Sequence, residues 1–150
     1  MGLFSFFKDS GEKNTETKGM DNTAKAELMT NLINKYNLGI EGLKIEVDQA
    51  KASVWGITEN QAVKEKVILA IGNVKGIAEV DDFIAVKESE EKEPEAKFYT
   101  VQSGDSLSKI SKAVYGDPMK YNDIFEANKP MLKDVNLIYP GQMLRIPELG

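Results

Sequence analysis

The chain has 150 residues, a net charge of −5, and neither cysteine nor histidine. Its length allows one or two domains, and its hydrophobic content of 41% is sufficient for packed cores. Without thiolate or imidazole groups, the sequence excludes a disulfide scaffold, the usual zinc, copper and haem sites, and cysteine or histidine nucleophiles. The metals that remain are cations that bind oxygen ligands.

Residues 1–20 are predicted to form an N-terminal arm. The opening MGLFSFFKDSGEK has no basic start, no long apolar stretch and no small-residue cleavage site, so it does not resemble a secretory signal. Phe6 stands where the myristoylation pattern requires Ser or Thr. Together with Phe4 and Phe7 it gives the arm an apolar surface, which we expect to pack on the domain that follows. We therefore expect a cytoplasmic protein without stable membrane insertion.

The first domain, residues 21–87, begins with a predicted helix and a hairpin. Apolar residues recur at helical spacing over residues 22–37, and Asn22 or Thr23 is the predicted N-cap. In LKIEVDQAKASVWGI, apolar and polar residues alternate in two short runs. This pattern predicts two strands joined at Asp48–Lys51.

A second helix and a third strand complete this domain. Residues 59–71 return to the helical period with Thr58 as the predicted N-cap, and GIAEVDDFIAVK is typical of a strand. Gly72 and Gly76 are predicted to end the helix by taking left-handed backbone conformations. The order αββαβ predicts an α+β domain in which helices cover a small mixed sheet.

An acidic linker over residues 88–97 is predicted to separate this domain from a second one. The stretch KESEEKEPEAK contains five Glu and one Pro and no aliphatic side chain larger than Ala, so it can bury little. Residues 98–148 then predict the order βααβ. FYTV and MLRIP are the strands, a first helix begins at Asp105 or Ser106 and ends at Gly116, and KYNDIFEAN is the second helix.

The charge distribution argues against a nucleic-acid partner, and the residue types argue against an enzyme. Residues 1–96 carry 12 Lys against 18 Asp or Glu, and residues 97–150 carry 7 Lys or Arg against 6, so neither part is strongly basic. The carboxylates at Asp81–Asp82 and Glu88–Glu95 lack the EF-hand spacing and are typical of a solvated surface. No matched nucleophile accompanies them. We expect a non-enzymatic monomer.

The second domain resembles a LysM domain. The matching stretches are YTV from Tyr99, SGDSL from Ser103, Ile110, YG from Tyr115, Asn128, and IYPGQMLRIP from Ile138. LysM domains bind N-acetylglucosamine glycans, such as peptidoglycan or chitin, in a shallow groove between two loops. The resemblance implies a groove formed by Gly104, Asp105, Ser106 and Leu107 on one side and Met131, Ile138 and Pro140 on the other. The alternative is structural, because the same residues can cap a helix and fill a small core.

The first domain resembles a BON domain in its αββαβ order, in Val54-Trp-Gly, and in the stretch GIAEVDD from Gly76. BON domains are associated with phospholipid contact, but an acidic domain is repelled by anionic lipid. Over essentially its full length, the chain is similar to a family of small cytoplasmic bacterial potassium-binding proteins made of BON and LysM. The resemblance implies a K⁺ sensor or buffer that becomes more compact when the ion binds.

The same resemblance implies a K⁺ site made of main-chain carbonyls from the arm and from the turn after the second helix. The implied ligands are Phe7, Ser10, Glu12, Gly72, Val74 and Ile77. A helix end leaves its last carbonyls without partners and carries partial negative charge. Neutral carbonyls suit the weakly hydrated K⁺, whereas Ca²⁺ and Mg²⁺ prefer carboxylates. The alternative is an ordinary helix cap in which Ile77 makes the hydrophobic contact.

Overall fold

The computed structural model describes residues 2–6, 19–87 and 96–149. Its elements are β1 (Gly2–Ser5), α1 (Asn22–Tyr36), β2 (Glu41–Asp48), β3 (Lys51–Thr58), α2 (Gln61–Gly72), β4 (Glu79–Val86), β5 (Lys97–Thr100), α3 (Leu107–Tyr115), a short 3₁₀ helix (Pro118–Lys120), α4 (Tyr121–Ala127) and β6 (Met143–Ile146). The orders αββαβ and βααβ confirm the predicted α+β class. The strand β1 is an addition that the sequence pattern did not predict.

The first domain is built on a four-stranded mixed sheet with the order β1-β4-β3-β2. Strands β3 and β4 are parallel, and the other two neighbouring pairs are antiparallel. The added strand β1 pairs with β4, so that Leu3 lies opposite Asp81 and Phe4 lies opposite Val80. The arm is therefore joined to the sheet by backbone pairing as well as by the predicted apolar side chains.

The hairpin of β2 and β3 forms at the predicted place. Gln49 and Ala50 make the turn, and Gln49 takes a left-handed φ of 57°. Along β2 the buried Ile45 and Val47 alternate with exposed residues. This period of two places the apolar side chains in the core with α1 and α2.

The two helices of this domain begin at different residues from those predicted. Helix α1 follows Asp21, whose carboxylate accepts a hydrogen bond from Ala24 N at 2.7 Å. Helix α2 follows Asn60, whose side chain accepts from Val63 N at 2.9 Å. The predicted cap Thr58 is instead the buried last residue of β3. No helix in the described ranges is both long and apolar enough to cross a bilayer.

In the second domain β5 and β6 form an antiparallel pair, α4 packs against β6, and α3 packs against α4. Ser106 is the N-cap of α3, and its hydroxyl accepts from Lys109 N at 3.2 Å. Gly116 ends the helix in a left-handed conformation with a φ of 76°, as predicted. Strand β5 begins at Lys97, which pairs with Ile146 and so belongs to the sheet rather than to the linker. Residues 88–95 of the predicted linker lie outside the described residues.

The two domains share one continuous cluster of buried side chains. The rings of Phe4 in β1 and Phe98 in β5 lie 5.5 Å apart between centroids, so the arm contacts both domains. Helix α2 also reaches β6 through side chains near each of its ends. The turn that follows α2 is consequently at the junction of the arm, the first domain and the second.

Candidate metal centre

The turn after α2 brings together three of the six predicted carbonyl ligands. Gly72, Val74 and Ile77 are all buried. The turn is wound by short hydrogen bonds: Val74 N donates to Ile71 O at 3.2 Å, and Ile77 N donates to Val74 O at 3.1 Å. The main chain from Ile71 to Ile77 is thus folded into one tight loop at the negative end of the helix dipole.

The two glycines of this turn have different roles. Gly76 has a φ of 98°, the left-handed conformation that was predicted for it. The same prediction was wrong for Gly72, which is the last residue of α2 and does not have a positive φ. A Cβ atom built on Gly72 would lie 2.1 Å from Cζ of Phe6. Glycine is needed here because the Phe6 ring occupies the space of a side chain.

The arm reaches this turn at Phe6. The backbone N–H of Phe6 donates to Ala78 O at 2.7 Å, and Ala78 N donates to Ala50 O in the β2–β3 turn, also at 2.7 Å. The buried ring of Phe6 and this hydrogen bond fix the arm beside Ile77. The other three predicted ligands, Phe7, Ser10 and Glu12, lie outside the described residues, so their part in the site stays a prediction.

The turn offers main-chain oxygens rather than a cluster of ionised side chains. No backbone N–H among the described residues donates to the carbonyl of Gly72 or of Ile77. Within the same ranges, no three acidic side chains lie close enough together to hold a metal ion. The chemistry of this turn therefore suits a cation that accepts neutral carbonyl ligands.

Asn73 in the middle of the turn is a buried polar residue whose contacts with the second domain the sequence did not predict. Its side chain is buried, with 7% of the residue exposed. Nδ2 donates to Met143 O at 2.8 Å, and Oδ1 accepts from Met143 N at 2.9 Å. Nδ2 also lies 3.4 Å from Sδ of Met131. A polar residue amid the apolar stretch VILAIGNV was the available signal, but the sequence does not show its partner.

A second polar contact joins the domains near the start of α2. Glu65 Oε1 accepts from Arg145 Nε at 2.6 Å, and Oε2 accepts from Ala96 N at 3.0 Å. The two charged side chains are only 4% and 11% exposed. Burial lowers the pKa of the neighbouring Lys66, and the positive charge of Arg145 lowers it further, against an opposing effect of Glu126. The sequence analysis assigned none of these residues.

The predicted glycan-binding residues are only partly available. Asp105 accepts hydrogen bonds from Tyr99 Oη at 2.7 Å and from Gln102 N at 2.8 Å, so its carboxylate shapes its own loop. The first of these hydrogen bonds is the main cause of the raised pKa of Tyr99. Ser106 caps α3, and Leu107 and Met131 are buried, whereas Gly104 and Pro140 are exposed and Ile138 is partly exposed. Ser106 and Leu107 therefore have the alternative structural roles, as the cap of a helix and as part of the core.

Sequence comparisons match both domains and the whole chain. The model of the BON domain family matches residues 20–88, and that of the LysM domain family matches residues 99–147. The chain is 46% identical over 151 residues to the "Potassium binding protein Kbp" of Escherichia coli O6:H1, with 99% of each chain covered. A shorter match, 53% identical over 49 residues, covers 33% of this chain and 19% of an uncharacterized protein of Deinococcus radiodurans.

Proposed function

This chain belongs to the BON–LysM family that includes the potassium binding protein Kbp, and from that premise we propose that it binds K⁺ without catalysing a reaction. The observation that carries the proposal is the buried turn of Gly72, Val74 and Ile77, at which the arm arrives through Phe6. The ion is the ligand of a sensor or buffer, and its binding makes the protein more compact.

The ion is held by carbonyl oxygens from both sides of this junction. Gly72, Val74 and Ile77 supply ligands from the turn, and the arm supplies those of Phe7, Ser10 and Glu12. Ordering the arm costs conformational entropy, which the ion–carbonyl contacts offset. An ion that binds only the ordered form stabilises that form by mass action.

Three further features belong to the proposal. We place the protein in the cytoplasm and expect it to act as a monomer that does not bind nucleic acid. We divide the chain into an arm (1–20), a BON domain (21–87), an acidic linker (88–96) and a LysM domain that begins with β5 (97–148). The absence of histidine and cysteine from the sequence, together with the family, supports a binding role rather than catalysis.

Calorimetry tests the proposal directly. Titration of the full chain with KCl should give saturable heat, and NaCl at the same ionic strength should not. Equal weak heats with both salts would remove the potassium proposal. Glu12→Gln tests whether the main-chain carbonyl or the side-chain carboxylate is the ligand, because it removes the carboxylate but keeps the carbonyl. It should leave K⁺ affinity nearly unchanged.

The contribution of the arm needs a variant that keeps β1. Deletion of residues 1–12 would also remove the edge strand and the buried Phe6, so the domain would be damaged together with the site. Deletion of residues 7–12 keeps Gly2–Phe6 in the chain and removes the three proposed ligands of the arm together with the residues between them. This variant should lose the preference for K⁺ over Na⁺. A retained preference would show that the arm supplies no ligand.

Recognition of a peptidoglycan or chitin-type glycan by the LysM domain is a second candidate. The observation in its favour is the match over residues 99–147, with Gly104, Ile138 and Pro140 accessible on the two loops. A pull-down on insoluble peptidoglycan tests it, because a glycan-binding module must sediment with the polymer. The matched variant is Gly104→Asn, which adds a side chain to the first loop and should weaken sedimentation, while Asn tolerates the φ of 86° at this position.

A further inference from the structure

Three consecutive residues at the end of α2 each contact a different part of the protein. The backbone of Gly72 lies against Phe6 of the arm, the side chain of Asn73 binds β6 of the second domain, and Val74 is a proposed ion ligand. We propose that Asn73 couples the ion site to the docking of the LysM domain, so that ion binding and domain docking strengthen each other through this side chain. The inference rests on the proposed K⁺ site.

The backbone of Asn73 is directly connected to two proposed ligands. The peptide between Gly72 and Asn73 is trans and planar, so its C=O and N–H point in opposite directions. The N–H of Asn73 donates back into α2, to Leu69 O at 3.0 Å. The carbonyl of Gly72 therefore points out of the end of the helix. Val74 follows immediately, and a rotation of the Asn73 backbone would turn both carbonyls.

The side chain of Asn73 binds the second domain in the manner of a neighbouring strand. Its amide group donates to Met143 O and accepts from Met143 N, at 2.8 and 2.9 Å, which satisfies both backbone groups of one β6 residue. The hydroxyl of Tyr139, also in the second domain, lies 3.5 Å from Asn73 O. A shift of this turn must therefore either move β6 with it or break two partly buried hydrogen bonds.

The second domain has another polar anchor on α2 that lies far from the ion site. Glu65, Leu69 and Asn73 follow one another at intervals of four residues, which places them on one face of the helix. Glu65 holds Arg145 at 2.6 Å, and eight residues of helix separate it from Asn73, about 12 Å. Both anchors hold the LysM domain, but only Asn73 lies between proposed ion ligands. Arg145 therefore provides a matched control.

Coupling of two binding events is reciprocal, so it can be measured from either side. If docking strengthens K⁺ binding through Asn73, removal of the amide group must weaken ion binding and must also make docking independent of the ion. Asn73→Ala should fold, because the residue has a φ of −84° and its backbone hydrogen bond does not need the side chain. Asn73→Asp keeps the shape but cannot donate to Met143 O.

The experiment compares the full-length wild type with Asn73→Ala, Asn73→Asp and Arg145→Met. K⁺ affinity is measured by calorimetry and compactness by small-angle X-ray scattering over the same KCl concentrations, with NaCl as the control. We expect the wild type to become more compact as KCl is added, and the midpoint of this change should coincide with the midpoint of K⁺ binding. Both Asn73 variants should bind K⁺ about fivefold or more weakly, and their compactness should no longer follow ion occupancy. Arg145→Met should be less compact at every concentration but still respond to K⁺.

The outcomes separate the two proposals. Wild-type protein that gives equal weak heats with KCl and NaCl would remove the K⁺ site and, with it, the coupling. Wild type that binds K⁺ without any change in compactness would leave the K⁺ site standing but overturn the proposed compaction and, with it, the coupling. The coupling alone would be overturned if Asn73→Ala, shown to be folded by circular dichroism, keeps both the wild-type affinity and the wild-type response to K⁺.

Discussion

The ring of Phe6 lies directly against the backbone of Gly72, where a Cβ atom would be 2.1 Å from Cζ of the ring. This contact fixes the arm at the end of α2, and it is reinforced by the hydrogen bond from Phe6 N to Ala78 O at 2.7 Å. Gly72, which the sequence pattern predicts to end the helix, is thus the residue against which the Phe6 ring packs.

Gly72→Ala should displace Phe6 from its site. A methyl group at 2.1 Å from an aromatic carbon cannot be accommodated without movement, and overpacking of this kind costs about 1–3 kcal/mol of unfolding free energy. K⁺ affinity should fall as well, because the arm would no longer be held at the turn. Urea denaturation and calorimetry measure the two effects.

A double substitution is the control for this mechanism. In a Phe6→Ala background the ring is absent, so Gly72→Ala should cost much less unfolding free energy than it does in the wild type. Equal costs in both backgrounds would show that the substitution acts through the backbone of α2 and not through Phe6.

Gly76→Val should weaken K⁺ binding because it strains the turn that presents the carbonyls. A β-branched residue at a φ of 98° is strained by roughly 1–3 kcal/mol. Gly39→Val is the matched control, since Gly39 has a φ of 76° and no atom within 4 Å of the position that a Cβ would take, but lies outside the turn. Both variants should lose stability in urea, and only Gly76→Val should lose affinity in calorimetry. Equal affinity losses would contradict the role of the turn.

Local sequence signals predicted much of the fold, and contacts between distant residues were the part that they could not supply. The hairpin at Gln49 and the helix ends at Ser106 and Gly116 depend on neighbouring residues, so their patterns are visible in the chain. The polar contacts between the domains join residues 70 and 80 positions apart. Strand β1 has only four residues, too few to show a periodic pattern, and it forms because β4 presents an edge.

The difference between local signals and distant contacts also explains which features of the site were predictable. The left-handed Gly76 was predictable from the turn chemistry of glycine after a helix. The positive φ expected for Gly72 was wrong because α2 continues through this residue. Glycine is needed there for another reason, since Phe6, 66 positions earlier in the chain, takes the space of a side chain. Asn73 was missed for a related reason: its partner, Met143, comes from the other domain.

Glu65→Gln should destabilise the contact between the domains. It leaves the guanidinium group of Arg145 buried without its counter-charge, and breaking a buried pair in this way costs about 3–5 kcal/mol. Glu46→Gln is the control, because the pair of Lys44 and Glu46 is exposed and should contribute at most about 1 kcal/mol. Urea denaturation gives both values. A Glu65→Gln effect no larger than that of the control would show that the buried pair does not hold the domains together.

Lys66→Met should stabilise the protein near neutral pH. Burial, aided by the charge of Arg145, lowers the pKa of Lys66 in the folded state below its usual value of 10.5. The unfolded chain therefore binds more protons between the two pKa values, and stability rises with pH over that interval. Below the folded-state pKa, protonated Lys66 opposes folding, and Lys66→Met removes this charge. The apolar side chain of the methionine still fills the cleft beside Tyr36 and Met131.

The gain from Lys66→Met should consequently depend on pH with a definite sign. The gain in unfolding free energy should be largest at pH 7. It should shrink as the pH approaches 10.5, because Lys66 loses its proton there in the folded and in the unfolded state of the wild type. Urea denaturation of both proteins at pH 7 and pH 10 measures it, and the titration of the other lysines cancels in the difference. A gain that is the same at both pH values, or larger at pH 10, would show that the charge of Lys66 does not oppose folding.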